Sequence, residues 1–564
     1  MLSNAAGITW NLTPGTNLAT LAPTFTLSAG ATCTIGGTPV ASGDPVSFSG
    51  GPVVFTVTAQ GASPIINAYT VTTVVGKVVL WNLADGGDWD FSTSNWLGQV
   101  SGLPATFADG DAVIFNKPEG GTINIPSTVT PFSTTVGAAS GDYTFSGGSI
   151  AGASSLTKEG SSTLTLAFAN TYSGATVVNG GTLIANGNAT IGGSASVTVA
   201  NGALLRLAGA TGGGYKWPAA PATLAGAGTV TVPAAGLANA GFRFDMSAFT
   251  GVLNLTGGQF AVNPFYSPGF VNPTGGTINV ANGTVLYLGW QGTTFNTTVR
   301  LSGGTDNGEN LGVLRGDTAT LNGSVILGTN STIGSAGGTF TLNAVIGDEG
   351  NGFGFTKVGG GMVILTAATN TYTGPTVVHE GIMQCDTQGA LGGGSLRINA
   401  KLNLNYVGTR TVAGLNLAGT AKVSGIYGSS ASTAPPANQD DARFAGTGTV
   451  TVDNSGFTDW TIINAPGQTA DQDHDNDGVK NGIEYFMGQS GSSFTAMPGL
   501  DGTNTVTWAM IPSYEGTYEV QTSSNLGTWT NVDPRPLPSG GNLSYLLPPG
   551  LGIQFVRLLV TPTP

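Results

Sequence analysis

The feature that most limits what this chain can fold into is the period of its apolar residues. Bursts such as Thr163-Leu164-Thr165-Leu166 and Thr449-Val450-Thr451-Val452 alternate with a period of two, which sends one set of side chains to each face of a strand. Clusters of Gly, Asn and Ser interrupt the bursts about every 6–12 residues, as turns do. A single segment, from about Val479 to Met487, reads as helix, with Ile483, Phe486 and Met487 on its inward side. The chain is therefore nearly all β. It holds no run of about 18 apolar residues, so no transmembrane helix is expected.

Charge narrows the function. Charged residues make up 8% of 564 and glycines number 91, against about 25% charged in ordinary soluble proteins. Seventeen Lys and Arg against 30 Asp and Glu give a net charge of −13, with no basic stripe, which excludes nucleic acid as a partner. Cys33 and Cys385 lie far apart and read as two small buried apolar groups. Met1-Leu2-Ser3-Asn4-Ala5-Ala6 has neither the basic nor the apolar region of a signal peptide, so an exported protein of this sequence is expected to begin further upstream.

Composition divides the chain into five stretches. Residues 1–76 carry the alternating segments Thr24–Leu27, Val46–Phe48, Val53–Val57 and Tyr69–Thr72. With Gly30-Ala31-Thr32-Cys33, they resemble an immunoglobulin-like β-sandwich of bacterial surface proteins. Residues 77–120 gather Trp81, Trp89 and Trp96 with Asp85, Asp88, Asp90, Phe107, Asp109, Asp111 and Phe115. This Trp- and Asp-rich region reads as a cap over the next domain, the alternative being a sugar-stacking site. Residues 121–455 are the long repetitive body. Residues 456–490 form a linker with an acidic loop. Residues 491–564, with strands at Thr505–Trp508, Tyr518–Gln521 and Phe555–Val560, make a second small β-sandwich that resembles terminal modules of secreted proteins.

The body contains an internal repeat. One copy runs Leu156-Thr157-Lys158-Glu159-Gly160, Thr163–Leu166, Asn170-Thr171-Tyr172-Ser173-Gly174-Ala175-Thr176-Val177-Val178 and Gly181-Thr182-Leu183. The other runs Phe355-Thr356-Lys357-Val358-Gly359, Val363–Leu365, Asn370-Thr371-Tyr372-Thr373-Gly374-Pro375-Thr376-Val377-Val378 and Gly381-Ile382-Met383, with one residue inserted. Weaker echoes occur at Ala189–Gly193, Ser331–Leu342 and Leu391–Gly393. These blocks resemble the autotransporter-associated β-strand repeat, or passenger-associated transport repeat. The resemblance implies a right-handed parallel β-helix, a solenoid flanked here by the two sandwiches. At about 20–25 residues per rung the body would supply about 15 rungs. Autotransporter passengers are followed by a membrane barrel of about 12 strands. The residues after 455 are too few for one, so transport by that route is not expected.

Residues 473–484 read Asp-His-Asp-Asn-Asp-Gly-Val-Lys-Asn-Gly-Ile-Glu, the register of an EF-hand-type loop. Asp473, Asp475 and Asp477 would offer carboxylate oxygens, Gly478 the sharp turn and Val479 its carbonyl. Asn481 takes the ninth position, and Glu484 closes the set. Calcium needs six to eight hard oxygens, and this spacing supplies them from one loop. The stretch resembles the calcium loops of dockerins and thrombospondin type 3 repeats. A dockerin uses two loops and this chain has one, so the expected role is a structural calcium that stiffens the junction. His474 falls at a non-ligand position and is expected to face solvent.

Together these features point to an extracellular or cell-surface structural or adhesive protein, not an enzyme. Its expected partners are extracellular polysaccharide, neighbouring surface proteins or further copies of itself in a filament or biofilm. The alternatives are a carbohydrate-active β-helix enzyme, a lyase or hydrolase, and an array of carbohydrate-binding modules. An enzyme would need facing carboxylates. The acids available in the body are Asp306 with Glu309, Asp348 with Glu349, Asp440 with Asp441, and Glu380 beside His379, all of which read as polar turns.

Overall fold

The computed structural model describes residues 6–61, 63–187, 191, 193–208, 216–233, 241–262, 270–273, 275–304, 306, 308–454, 456–550, 552 and 554–563. Of the echo at 189–193, residues 189, 190 and 192 therefore lie outside the described residues. The chain divides into two compact units, Met1–Glu309 with Val313–Ser324, and Asn310–Gly312 with Val325–Pro564.

The first unit opens with a small module. Its sheet runs in the order Ala6–Leu12, Ile66–Val75, Val53–Thr58, Thr32–Ile35, Thr38–Pro39. Leu21, Cys33, Val46, Phe48 and Phe55 form its core. The opposite layer is thinner than the alternation predicts. Thr24–Leu27 and Val46–Phe48 form no ladder, and this layer is tied by one bridge, Leu21 to Val46. Phe25 and Leu27 still pack on the core, which is what their period of two encodes.

From Val78 onward the chain winds into a parallel β-solenoid. In one sheet Val78–Trp81, Ala112–Phe115, Ser133–Val136, Ser155–Lys158, Thr176–Val178 and Ser196–Val199 stack in register. In the other, Gly86–Asp88, Gly121–Ile125, Tyr143–Gly147, Thr163–Leu166, Thr182–Asn186 and Leu204–Ala208 do the same. The coil thus begins inside the Trp-rich region rather than at residue 121. It amounts to about 12 turns, fewer than the repeat length suggests, and some middle rungs are longer. Leu156 stacks on Thr176, whereas Ser196 stacks on Thr223.

Alternation decides what lies inside. Along Thr163–Leu166 and Thr182–Asn186 the Leu and Ala residues are buried and the Thr residues are half-exposed. Each rung hydrogen-bonds to its neighbours, so the first rung would leave an open end. Trp81, Trp89 and Trp96 close it. All three are 0% exposed and pack edge-on or tilted against one another and against Phe107, Phe115 and Phe145. An indole buried this way removes about 150–250 Å² from water and presents no free face to a sugar.

The second unit continues the pattern. Ser331–Gly334, Phe355–Val358, Thr376–Val378, Leu396–Ile398 and Leu415–Leu417 stack in parallel. Thr339–Leu342, Met362–Leu365, Ile382–Cys385, Lys401–Leu404 and Phe444–Gly446 form the facing ladder. The coil ends where Thr420–Lys422 and Gly425–Gly428 turn antiparallel. Two helices follow, α1 (Gly456–Asn464) and α2 (Asn481–Met487). The sequence reading missed α1. Phe457, Trp460, Ile462 and Ile463 make no clean helical stripe, and Phe457 alone is buried. Beyond α2, the pair Thr505–Ala509 and Asn542–Leu546 and the three-stranded sheet of Gly516–Ser523, Thr530–Asn531 and Phe555–Pro562 share a core. Phe486 and Met487 of α2 enter it beside Trp508, Val520 and Leu558. Cys33 and Cys385 are both buried and free.

Removing one wall of the aromatic plug should loosen the end of the coil. Trp96→Ala is expected to cost about 3–5 kcal/mol. Hydrogen exchange should show the loss of protection concentrated in Ala112–Phe115 and Tyr143–Gly147. Uniform loss along the unit would contradict a capping role.

Candidate metal centre

The acidic loop is shaped by its own carboxylates. Asp473 Oδ2 accepts from the Gly478 N–H at 2.8 Å, Asp475 Oδ1 from the Asp477 N–H at 3.1 Å, and Asp477 Oδ1 from the Val479 N–H at 2.7 Å. Asn476 and Gly478 have φ of 62° and 95°, left-handed values that Asn and Gly tolerate best. These turns point one oxygen from each of Asp473, Asp475 and Asp477 into a common space, all within 4.8 Å of one another.

Glu484 lies in the first turn of α2, outside the group of three. It is 0% exposed. Its Oε1 accepts from the Thr495 hydroxyl at 2.9 Å, while Oε2 is buried without a partner. Asp473 Oδ1 and Asp475 Oδ2 are likewise buried and unpartnered. Burial, followed by the negative charge of Asp475, Asp477 and Asp473, pushes the Glu484 carboxyl up to about 7. Buried polar atoms are nearly always hydrogen-bonded. The oxygens of Asp473, Asp475 and Asp477 lie within 4.8 Å of one another, and Asp473 and Asp475 each carry a buried oxygen without a partner, a donor set suited to a hard divalent cation.

Two loop residues make contacts that the sequence did not show. The Asn481 side chain braces the loop. Its Oδ1 accepts from the His474 N–H at 3.2 Å, and its Nδ2 donates to Thr469 O at 2.9 Å and Gln468 Oε1 at 3.2 Å. His474 does not simply face solvent, because its Nδ1 is buried without a partner. Val479 is buried, with its N–H held by Asp477. Thr495, which the sequence pattern did not mark, ties the loop to the following chain. Its N–H donates to Asp477 Oδ2 and its hydroxyl to Glu484.

The loop sits in a hub between the coil end and the C-terminal sheets. Asp459 of α1 accepts both oxygens' bonds from the Ser424 N–H, at 2.9 and 3.1 Å, and one from Asn454 Nδ2 at 2.7 Å. Phe457 and Trp460 of α1 pack on Tyr485 of α2, which packs on Tyr514. Trp460 Nε1 donates to Gln489 O at 3.0 Å.

The acid pairs of the body are engaged in turns. Asp348 accepts from the backbone of Gly350, Phe353 and Thr373 and from the Thr373 hydroxyl. Asp440 accepts from Ala442 and Arg443, and Asp441 from Ser430. Asp306 accepts from Gly308. Glu309 pairs with Arg315 at 3.0 Å, and Arg315 also holds Asp317. Glu380 Oε2 accepts from the Gly359 N–H at 3.1 Å, beside an exposed His379. Glu349 has φ of 54° and serves a turn.

The repeat residues make cross-rung bonds. Asn170 and Asn370 accept from the N–H of Ile150 and Ile346 at 2.9 and 2.8 Å. The Tyr172 and Tyr372 hydroxyls meet Thr176 and Thr376 at 2.8 and 2.7 Å. Burial raises both phenols, that of Tyr372 to about 12. Lys158 and Lys357 are wholly buried. Burial lowers both ammonium groups, Lys357 to about 8 against the opposing charge of Glu380.

Comparison with known proteins gives family-model matches in two parts of the chain. A family model described as SGBP, N-terminal, matches residues 3–73. The passenger-associated-transport-repeat model matches residues 156–185 and 355–384, the two copies read from the sequence. The Adhesin BmaC autotransporter of Brucella suis biovar 1 (strain 1330) is 28% identical over 292 residues, which is 48% of this chain and 8% of that protein. The chain thus spans a small fraction of the relative's length. No solved structure gives a significant match.

Asn481→Ala removes the brace while leaving every carboxylate in place. It should lower the stability of the C-terminal part by about 1–3 kcal/mol, read as a shifted denaturation midpoint in the fluorescence of Trp460 and Trp508.

Proposed function

We propose that this chain is part of an extracellular, adhesive or structural protein of a bacterial surface or matrix, and that its acidic loop holds a structural calcium ion. The coil acts as a contact face and spacer and has no catalytic role. The observation that carries this reading is the outward face of the first unit. Thr163, Thr182, Leu204, Thr229, Val252, Thr277 and Thr298 follow one another rung by rung. Strands spaced about 4.8 Å apart make this a long uncharged row of hydroxyl and aliphatic groups. Such a row, with Arg206 and Arg300 in the next outward column, suits a hydroxyl-rich partner such as polysaccharide. The similarity to an adhesin supports the same reading, as do the turn-bound acids of the body.

For the loop, support comes from the orphaned oxygens of Asp473, Asp475 and Glu484 and the excess negative charge around them. Asp473, Asp475, Asp477, Glu484 and the Val479 carbonyl would ligate the ion, with Asn481 as its brace. The ion would neutralise the cluster and hold α2 against the loop, stiffening the hub.

Beads coated with the chain should be retained on polysaccharide or matrix-coated surfaces more than bare beads. Equal retention on every surface tried would remove the adhesive reading. Calcium at 100 times its Kd should stabilise the fold by about 2.7 kcal/mol, read as a raised melting midpoint and a change in Trp460 fluorescence. Glu484→Gln should weaken binding at least about tenfold, or about 1.4 kcal/mol. A midpoint identical in calcium and EDTA would sink the metal site.

A further inference from the structure

The two repeat lysines stand where an aliphatic residue is expected. In the first unit one inward column reads Val136, Lys158, Val178, Val199 from rung to rung. In the second it reads Ile333, Lys357, Val378, Ile398. All eight side chains are 0% exposed. A lysine in such a column is an expensive choice, because an ammonium leaves water only if it is paired or fully hydrogen-bonded.

Both lysines find the same solution. Lys158 Nζ donates to the carbonyls of Glu159, Gly160 at 3.1 Å and Gly180 at 3.4 Å. Lys357 Nζ donates to those of Gly359, Gly361 at 2.7 Å and Glu380 at 2.9 Å. Three donors meet three acceptors, two on the lysine's own turn and one on the turn of the next rung. Gly160, Gly181, Gly359 and Gly381 shape these corners with φ of 65°, 61°, 74° and 60°. A Cβ on Gly381 would lie 2.6 Å from Lys357 Nζ, so the ammonium occupies space that only glycine leaves open.

We propose that Lys158 and Lys357 are register keys. Elsewhere these columns stack apolar groups, Phe115 on Val136, Val178 on Val199, Val378 on Ile398 and Ile398 on Leu417, and a rung shifted by two residues, which keeps the same face inward, meets only non-directional contacts there. At the lysines a slip moves the ammonium out of its carbonyl cage and leaves it buried and unpaired. The correct frame is therefore set at one point in each unit, through a group that adds specificity more than stability.

The test replaces each lysine in the full chain by Met, which keeps length and volume but removes charge and donors, and by Arg. The other copy stays intact as an internal standard. Lys158→Met and Lys357→Met should keep or raise the melting midpoint of material that folds. Refolding should give a loss of native yield and two exchange populations in peptides of the altered copy alone. A Met variant that stays unfolded while its Arg counterpart folds also supports the key. Refolding of the Met variants to one species at wild-type yield overturns it. So does failure of Met and Arg variants alike, because the demand would then be one of shape.

Discussion

Each rung of the coil satisfies its backbone through the rungs on either side, and the rest of the molecule follows from that dependence. Stacked parallel strands bury a continuous apolar column and leave an outer face that needs few charges, such as Arg206 and Arg300. That is why a chain with 8% charged residues can fold at all. The same dependence makes the ends dangerous, since an open rung offers unpaired N–H and C=O groups and exposed apolar surface. One end is plugged by three buried indoles and a ring of Phe. At the other, strands turn antiparallel and α1 docks through the Asp459 carboxylate on Ser424.

Regular stacking satisfies the backbone but says little about frame. Polar groups inside the coil supply what aliphatic columns cannot. Asn170 and Asn370 use a carboxamide to reach a neighbouring rung, Asp348 binds Thr373 of another, and the lysines bridge two turns. Each would destabilise the fold if unpaired, so each is informative about position. The two copies of the repeat share the same set of directional bonds, from Lys, Asn and Tyr, in a core whose columns are mainly apolar.

How much of this was legible in the sequence depends on whether a feature is local. The period of two in Thr163–Leu166 encodes strand and facing together, and the repeated Lys, Asn and Tyr marked the coil. The Trp cluster was readable as a cap, yet the coil's start near Val78 was not, because short strands such as Gly86–Asp88 carry no alternation of their own. Helix α1 was hidden because tertiary contacts to Tyr485 and Ser424 hold it, not an apolar stripe. Thr24–Leu27 had the alternation of a strand but lacked a partner to ladder with.

The acidic loop shows the same division at the scale of single atoms. Spacing alone marked Asp473, Asp475 and Asp477, whose oxygens share one space, because the order of acids in such a loop is a local property. It could not distinguish ligand from brace at Asn481, whose amide is engaged by Gln468, Thr469 and His474. Nor could it name Thr495, which approaches from beyond α2 and holds both Asp477 and Glu484. Through Thr495 and Glu484 the loop is bonded to α2, whose Tyr485 packs on Phe457 and Trp460 of α1. The loop therefore borders the packing that joins the end of the coil to the C-terminal sheets.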